Sequence, residues 1–513
     1  MPSHALLTSS IQYGIVARSL PLTGKVLPGY LDTSGGARVG IGNPNAEFTP
    51  NISACAISSD GGTAKIVWGT RAGDVLFMNA PRAMDGGRRN AADVRKCDIT
   101  DEHDGSVLDA QWVINAPSAA LGWPVVTASA DGRIKLWDAK TAVCQWTSQR
   151  KSNVVIPNPC LKVTAIQTGA HGGCIAAAMK SGEIHIWTGF ALGSTVIYEE
   201  SSIRETIIES PMCTSTQGYD PQATHTVIAL HIDPNPNSGL PTLLVAYEND
   251  PFFYHIQVGS QTRTGHDSDA DVDITTFGDP NFGFTSIIVP YFRSEAEQQA
   301  SFILVGDHLG WVNLYAWDAD NASLCASDSG PNDSVNPLKT IQPIRKFEAH
   351  PDSTSITALI WSPHTLITGS ARGTTHVFDG LSFRHLKSFA SPIPKTRGRH
   401  QGDEAAEAAE RDRQKVKQII VGTGSGGAGL NVTSGGDNAS SLMEETRDLV
   451  FINVGERVMA WKAGPVPKHG SGDVRARHTQ GVLGAGRKKR LGYVKYLRMS
   501  FLSSAALSVV IMD

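Results

Sequence analysis

Cysteine is scarce and scattered in this chain. The seven thiols among 513 residues are Cys55, Cys97, Cys144, Cys160, Cys174, Cys213 and Cys325, an odd set with no C-x-x-C pair. That argues against a disulfide framework or a zinc cluster, so no metal site is expected, and it fits a reducing compartment. An excess of one charge is lacking too: 45 Lys and Arg stand against 49 Asp and Glu, a net charge of −4. Bulk charge therefore gives no reason to expect nucleic acid or a membrane as a main partner. The longest apolar stretch runs only from Phe501 to Met512 and includes Ser and Ala, too short for a helix that spans a bilayer. Met1 to Leu20 shows no basic start followed by an apolar run, so no secretory leader is read there and the expected location is cytoplasm or nucleus.

What is present is turn chemistry and material for a core. Gly contributes 51 residues and Pro 27, while hydrophobic residues make up 41%, a balance that favours many short strands over long helices. Internal repetition organises these strands. The best unit opens with His103-Asp-Gly-Ser-Val-Leu-Asp-Ala-Gln-Trp112, continues with Val125-Val-Thr-Ala-Ser-Ala-Asp-Gly-Arg-Ile-Lys-Leu-Trp-Asp138 and closes with Cys144-Gln-Trp146. It reads as four strands: Val107 to Trp112, Val125 to Ser129, Ile134 to Trp137 and Ala142 to Trp146, with Asp131-Gly132 as a tight turn between the second and third.

These residues resemble the WD-repeat family. The resemblance implies a β-propeller and places His103, Ser129, Asp131 and Trp137 where that family keeps a His–Ser–Asp–Trp network. An imidazole, a hydroxyl, a carboxylate and an indole N–H can satisfy one another when buried and so fix the geometry of a blade. A Ser/His/Asp catalytic set is the competing reading. The tight turn and the following Trp-Asp pair explain all four residues structurally, so no catalytic residue and no enzyme activity is expected.

A second clear copy runs from His350 to Phe389, with Arg372 replacing the turn Asp and Phe378 replacing Trp; on that count its polar network is expected not to close. Weaker copies begin at Ile66, Ile175, Leu243, Phe302 and Leu449, which brings the count to seven. They lie roughly sixty residues apart, above the ~40–45 of a compact blade. The excess is placed in polar inserts at 82–100, 147–158, 259–281, 319–343, 391–415 and 423–447, expected as surface loops. The expected architecture is all-β: a seven-bladed WD-repeat propeller over 51–465, an irregular N-terminal segment over 1–50 and a basic, largely disordered tail over 466–513.

Several segments imitate chemistry. Gly422-Thr-Gly-Ser-Gly-Gly427 matches a dinucleotide fingerprint, but the residues after it cannot form the helix that would hold a pyrophosphate, so no cofactor is expected. The acidic run His266 to Asp273 lacks the glycine and terminal Glu of a calcium loop. Asp403 to Lys417 reads as a short exposed helix in a linker. Arg487 to Arg490 is a basic run, either a nuclear-import signal or a solvated tail. Aligning the copies on their turns places Arg71, Lys180 and His308 just before the turn between second and third strands, with Arg372 in the turn itself. In the family that position points to one rim, so a basic rim and an acidic or phosphorylated protein partner are expected.

A narrower resemblance is to the fungal F-box/WD-repeat proteins. It rests on Val107 to Trp112, Thr127 to Asp138, Leu304 to Gly310, Arg345 to His350, Thr368 to Thr375 and Arg457 to Pro465. The resemblance implies a substrate receptor of an SCF-type ubiquitin ligase, with a Skp-type adaptor held by an N-terminal F-box. No F-box is visible in the Gly-, Pro- and Ser-rich residues before the first copy. A general WD-repeat scaffold without a ligase link is therefore the alternative.

Overall fold

In the computed structural model of the chain, the residues described are 4–10, 14–20, 52–59, 63–81, 93–114, 123–149, 157–168, 172–190, 203–210, 226–234, 241–258, 272–278, 283–291, 302–316, 340–361, 365–393, 404–422, 449–455, 457–462, 493–497 and 509–512. They are almost entirely strands, with one α-helix, Glu404–Gln414, in the segment expected to be helical.

Among the described residues, seven sheets follow one another along the chain, each with four antiparallel strands taken in chain order and one of them with a fifth strand added. The first holds Ile52–Ser59, Thr63–Thr70, Val75–Pro81 and Asp93–Lys96. The second holds Val107–Trp112, Pro124–Ser129, Ile134–Asp138 and Val143–Thr147. Cys160–Thr168, Gly172–Met179, Ile184–Phe190 and Arg204–Ile208 make the third. Val227–Pro234, Pro241–Tyr247, Phe252–Val258 and Val272–Gly278 make the fourth, with Thr340–Ile341 added in parallel at its edge. The fifth comprises Thr285–Tyr291, Phe302–Asp307, Trp311–Ala316 and Arg345–Glu348. The sixth comprises Ile356–Trp361, Thr365–Ser370, Thr375–Asp379 and His385–Phe389. Val416–Gly422, Leu449–Val454, Arg457–Lys462 and Tyr493–Leu497 complete the seventh.

Two expectations are corrected here. The terminal segments are not wholly irregular: His4–Ser10 pairs with Gly14–Leu20 and with Val509–Met512 in a three-stranded sheet, and Val509–Met512 lies beside the first strand of the seventh sheet. Tyr493–Leu497 belongs to the seventh sheet although it falls in the expected tail. The polar inserts are also not pure loops, because Asp93–Lys96 and Val272–Gly278 are outer strands.

The first strands of consecutive sheets lie side by side, from the first sheet to the seventh, and the cores form between sheets. Val67 and Phe77 of the first sheet pack with Val107, Val125 and Trp137 of the second. Val126 and Leu136 of the second pack with Ile175 and Trp187 of the third. The same sharing continues through Leu304 and Val312 against Ile356 and Leu366, then Ile367 and Val377 against Val416 and Ile452. Apolar surface is thus removed from water chiefly by face-to-face contact of neighbouring sheets.

One irregularity recurs in all seven sheets. The ladder between first and second strands slips at the second residue of the first strand or immediately beside it, passing over Ser53, Leu108, Leu161, Ile228, Ser286, Thr357 and Lys417. Such a bulge leaves one residue unpaired and bends the strand. At three of the seven positions a hydroxyl uses that freedom. Ser53 Oγ donates to the Val107 carbonyl at 2.6 Å, Ser286 Oγ to Ile356 at 2.6 Å and Thr357 Oγ1 to Val416 at 2.7 Å. Each bond ties a sheet to the next one. Glycine serves the same closeness: a Cβ on Gly69 or Gly369 would run into Val107 or Val416 of the following sheet.

Candidate functional site

The second sheet carries the buried polar network. His103 sits in the segment leading into the first strand, and its Nδ1 lies 3.3 Å from Asp131 Oδ2. Its Nε2 lies 2.8 Å from Thr127 Oγ1, and the indole Nε1 of Trp137 donates to that same oxygen at 2.8 Å. Proton accounting gives a single consistent chain. The indole N–H donates to Thr127, the Thr127 hydroxyl donates to Nε2 of a neutral imidazole, and Nδ1–H donates to the carboxylate. Burial pushes the His103 pKa down, with Asp131 pulling the other way, which agrees with a neutral ring. Burial works against the Asp131 charge, yet His103 and the N–H groups of Arg133 and Asp104 hold its carboxyl below the usual range.

The hydroxyl in this relay is therefore Thr127, not Ser129. Ser129 Oγ instead donates to the Gly105 carbonyl at 3.1 Å and accepts from the Asp131 N–H at 3.2 Å, which pins the turn. With Ser129 unconnected to His103, the Ser/His/Asp set has no nucleophile beside its base. Strand register was the overlooked signal. Trp137 is opposite Val125 and Lys135 is opposite Thr127, so Thr127 is the diagonal neighbour of Trp137 on one face while Ser129 is a further pair away.

The sixth sheet closes a network as well, contrary to expectation. His350 Nε2 lies 3.0 Å from Thr368 Oγ1, and Nδ1 lies 3.4 Å from Thr374 Oγ1, which is 2.6 Å from Ser370 Oγ. Thr374 supplies from the next residue but one what a turn carboxylate would supply, so Arg372 is released to the surface. Burial, reinforced by nearby His376, lowers the His350 pKa to about 4.

The four rim residues all lie in the turn between second and third strands of their sheets, and all four are exposed. Lys180 N–H donates to the Pro159 carbonyl and His308 N–H to the Phe284 carbonyl, and Ala371 makes the same bond to Ser355. This bond aligns the turns and reveals a member the sequence alignment missed: Glu248, whose N–H donates to the Thr226 carbonyl. It is exposed and acidic, so the rim is not uniformly basic. Two of the four expected cations are also engaged by their surroundings. His308 Nδ1 accepts the Phe284 N–H at 2.7 Å. Arg372 lies 3.5 Å from Asp352 Oδ2.

Other segments singled out above lie wholly or mainly outside the described residues: 423–448 with most of the Gly-rich run, 259–271 with the acidic run, and Arg487 to Arg490. Among the described residues no group of three or more His, Cys, Asp or Glu is placed to hold a metal ion. No helix among them is long and apolar enough to cross a membrane. Cys97, Cys160 and Cys174 are buried thiols, with burial raising Cys97 to about 11 and Cys174 to about 12.

No protein-family model matches the chain, and no curated protein matches it. Among solved structures, Sqt1 of Saccharomyces cerevisiae matches with a TM-score of 0.47 at 8% identity, over 80% of this chain and 82% of that one. The β-propeller domain of Cps50 (Swd1) of Myceliophteria thermophila matches with a TM-score of 0.39 at 12% identity, over 67% of this chain and 88% of that one.

Proposed function

We propose that the chain is a seven-bladed propeller of the WD-repeat kind that binds other proteins and catalyses no reaction. The observation that carries this reading is the sevenfold recurrence of one four-stranded sheet with a bulge at the same place. Such a frame is rigid, and its exposed turns, whose backbone bonds repeat from sheet to sheet, offer side chains for recognition. In the set that imitates a catalytic triad, His103 and Asp131 are occupied internally: with Thr127 and Trp137 they satisfy one another.

The rim of Arg71, Lys180, His308 and Arg372 is the proposed contact surface, with an acidic or phosphorylated segment as its partner. Charge reversal tests it. Lys180→Glu combined with Arg372→Glu in the full chain should remove protein partners seen with the unmodified chain in interaction mass spectrometry. An unchanged partner set would leave the rim as ordinary surface.

The finer reading is a substrate receptor of an F-box/WD-repeat ubiquitin ligase, and only the sequence resemblance supports it. Affinity purification should then recover a Skp-type adaptor, and the genomic sequence upstream of Met1 should encode an F-box. If neither is found, a general WD-repeat scaffold is the better reading. Cytoplasm or nucleus is the proposed location.

A further inference from the structure

We propose that the fourth, fifth and sixth sheets together form one docking spot for a partner segment that presents a cation, an apolar side chain and an anion in succession. The proposal rests on the protein-binding reading above but not on a uniformly basic rim. Its centre is the turn after Phe302–Asp307. Phe284 and Leu309 are 40% and 42% exposed there, and Phe284 stacks on the His308 ring with centroids 4.8 Å apart. Large apolar side chains in water on a turn are unremarkable singly. These two flank His308, one against its ring and one beside it in the chain, and the backbone of the turn is held in place. His308 accepts the Phe284 N–H, and Asp307 Oδ1 accepts the N–H groups of Leu309 at 2.9 Å and Trp311 at 2.8 Å. A rigid apolar surface loses little conformational freedom when it is covered, which is what an anchor site needs.

The flanks have opposite charge. On one side the fourth-sheet turn touches this centre, since the Thr285 N–H donates to the Asp250 carbonyl at 2.9 Å. That turn exposes Glu248. On the other side Gly310 is pressed against the segment leading into the sixth sheet. A Cβ there would meet the His350 carbonyl at 2.7 Å and the Thr354 carbonyl at 3.1 Å. That segment carries Asp352, and Arg372 reaches it with a side chain still 59% exposed. The charges therefore read acid, apolar, base across three consecutive sheets, and a complementary segment reads base, apolar, acid. Asp352 takes part of the Arg372 charge, so the anionic position favours a group that can share the guanidinium bidentately, a carboxylate or a phosphate.

The test uses the full chain and labelled synthetic peptides carrying Lys, Leu and Glu in that order at spacings of one to three residues, read by fluorescence polarisation. Saturable binding is expected from at least one spacing. Changing the peptide Leu to Ser, or making Leu309→Ser in the protein, should each weaken it about tenfold or more. Arg372→Glu should switch the preference from Glu to Lys at the anionic position, and Glu248→Lys should do the reverse at the cationic one. Leu309 is an exposed turn residue, so its substitution leaves the sheets intact. Binding by no peptide of the set, or binding indifferent to Leu309→Ser, overturns the proposal. So does self-association that Leu309→Ser abolishes, because a second copy would then be the occupant. If acidic peptides bind and respond to Lys180→Glu but not to Leu309→Ser, the acidic-partner reading stands and this spot falls.

Discussion

Replacing Thr127 with Val is the sharpest test of the second-sheet network. The two side chains have nearly the same shape, so packing around this fully buried position is preserved while the hydroxyl disappears. Two buried groups then lose their partner: the Trp137 indole N–H, which donates at 2.8 Å, and His103 Nε2, at 2.8 Å. Leaving a buried donor or acceptor unsatisfied costs ~1–3 kcal/mol each, so the expected loss is ~2–5 kcal/mol. Ser129→Ala gives the internal comparison. Its hydroxyl donates to the Gly105 carbonyl and accepts from the Asp131 N–H through longer bonds of 3.1 and 3.2 Å, and a loss of ~1–2 kcal/mol is expected. Thr127→Ser keeps the oxygen and should recover most of the stability. Urea denaturation of the full chain would give the ordering. Amide hydrogen exchange over Pro124–Ser129 and Ile134–Asp138 would localise it to the second sheet. If Ser129→Ala costs as much as Thr127→Val, the relay runs through the wrong hydroxyl and the proton accounting fails.

Trp137→Ala removes a fully buried aromatic and orphans Thr127 at once, so ~3–5 kcal/mol should be lost; an unchanged melting temperature would refute its place in the network. Arg372→Asp, at an exposed turn position, should change stability far less. Stability should fall with acid. His350 is held to about 4 in the folded chain by burial and by His376, against about 6.5 when unfolded. Above that higher value both states are neutral and stability is full. As pH drops toward 4 the unfolded chain takes up a proton that the folded one resists, and ~2–4 kcal/mol should be lost across this window. A urea midpoint flat between pH 7 and 4 would contradict it. Gly369→Ala should destabilise the sixth and seventh sheets by ~1–3 kcal/mol, because its Cβ runs into Val416. Val416→Ala in the same chain should return part of that loss, and no rescue in a denaturation series would mean the clash is relieved elsewhere.

How much of this was legible in the sequence depends on where a strand lies in its sheet. The second strands are buried almost throughout: Pro124–Ser129, Phe302–Asp307 and Thr365–Ser370 each expose only their first residue in part. Their side chains are mostly apolar or small, and these runs made seven repeats countable. The fourth strands face water on their outer side. In Arg345–Glu348 three of four residues are exposed, and Arg204–Ile208 begins with two exposed residues. Edge strands owe their pairing to the neighbouring strand more than to their own side chains, so the polar Asp93–Lys96 reads as an insert. The network was half legible for a related reason. Thr127 and Ser129 lie on one face with a period of two, and only the cross-strand register separates the partner of Trp137 from the residue that pins the turn.

The bulges were not legible at all, and they bear most on function. Ser53, Ser286 and Thr357 sit near the start of ordinary-looking strands, and nothing in their spacing announces an unpaired residue. Their role follows from what each hydroxyl reaches, the first paired carbonyl of the next sheet at 2.6 to 2.7 Å. These bonds and the glycines at 69 and 369 act at the same junctions. The hydroxyl draws one sheet toward the next, and the missing Cβ leaves room for it to arrive. Neighbouring turns on the rim are thereby held in fixed relation, so side chains from different sheets can form one recognition surface. The alignment of Leu309 with Arg372, across the fifth and sixth sheets, depends on the Ser286 tie. Ser286→Ala, which deletes the tie between the fifth and sixth sheets, should therefore weaken a ligand that spans both turns while leaving the turns' own backbone bonds intact. Equal affinity in the variant, measured with the same labelled peptides, would show that the ties serve stability alone.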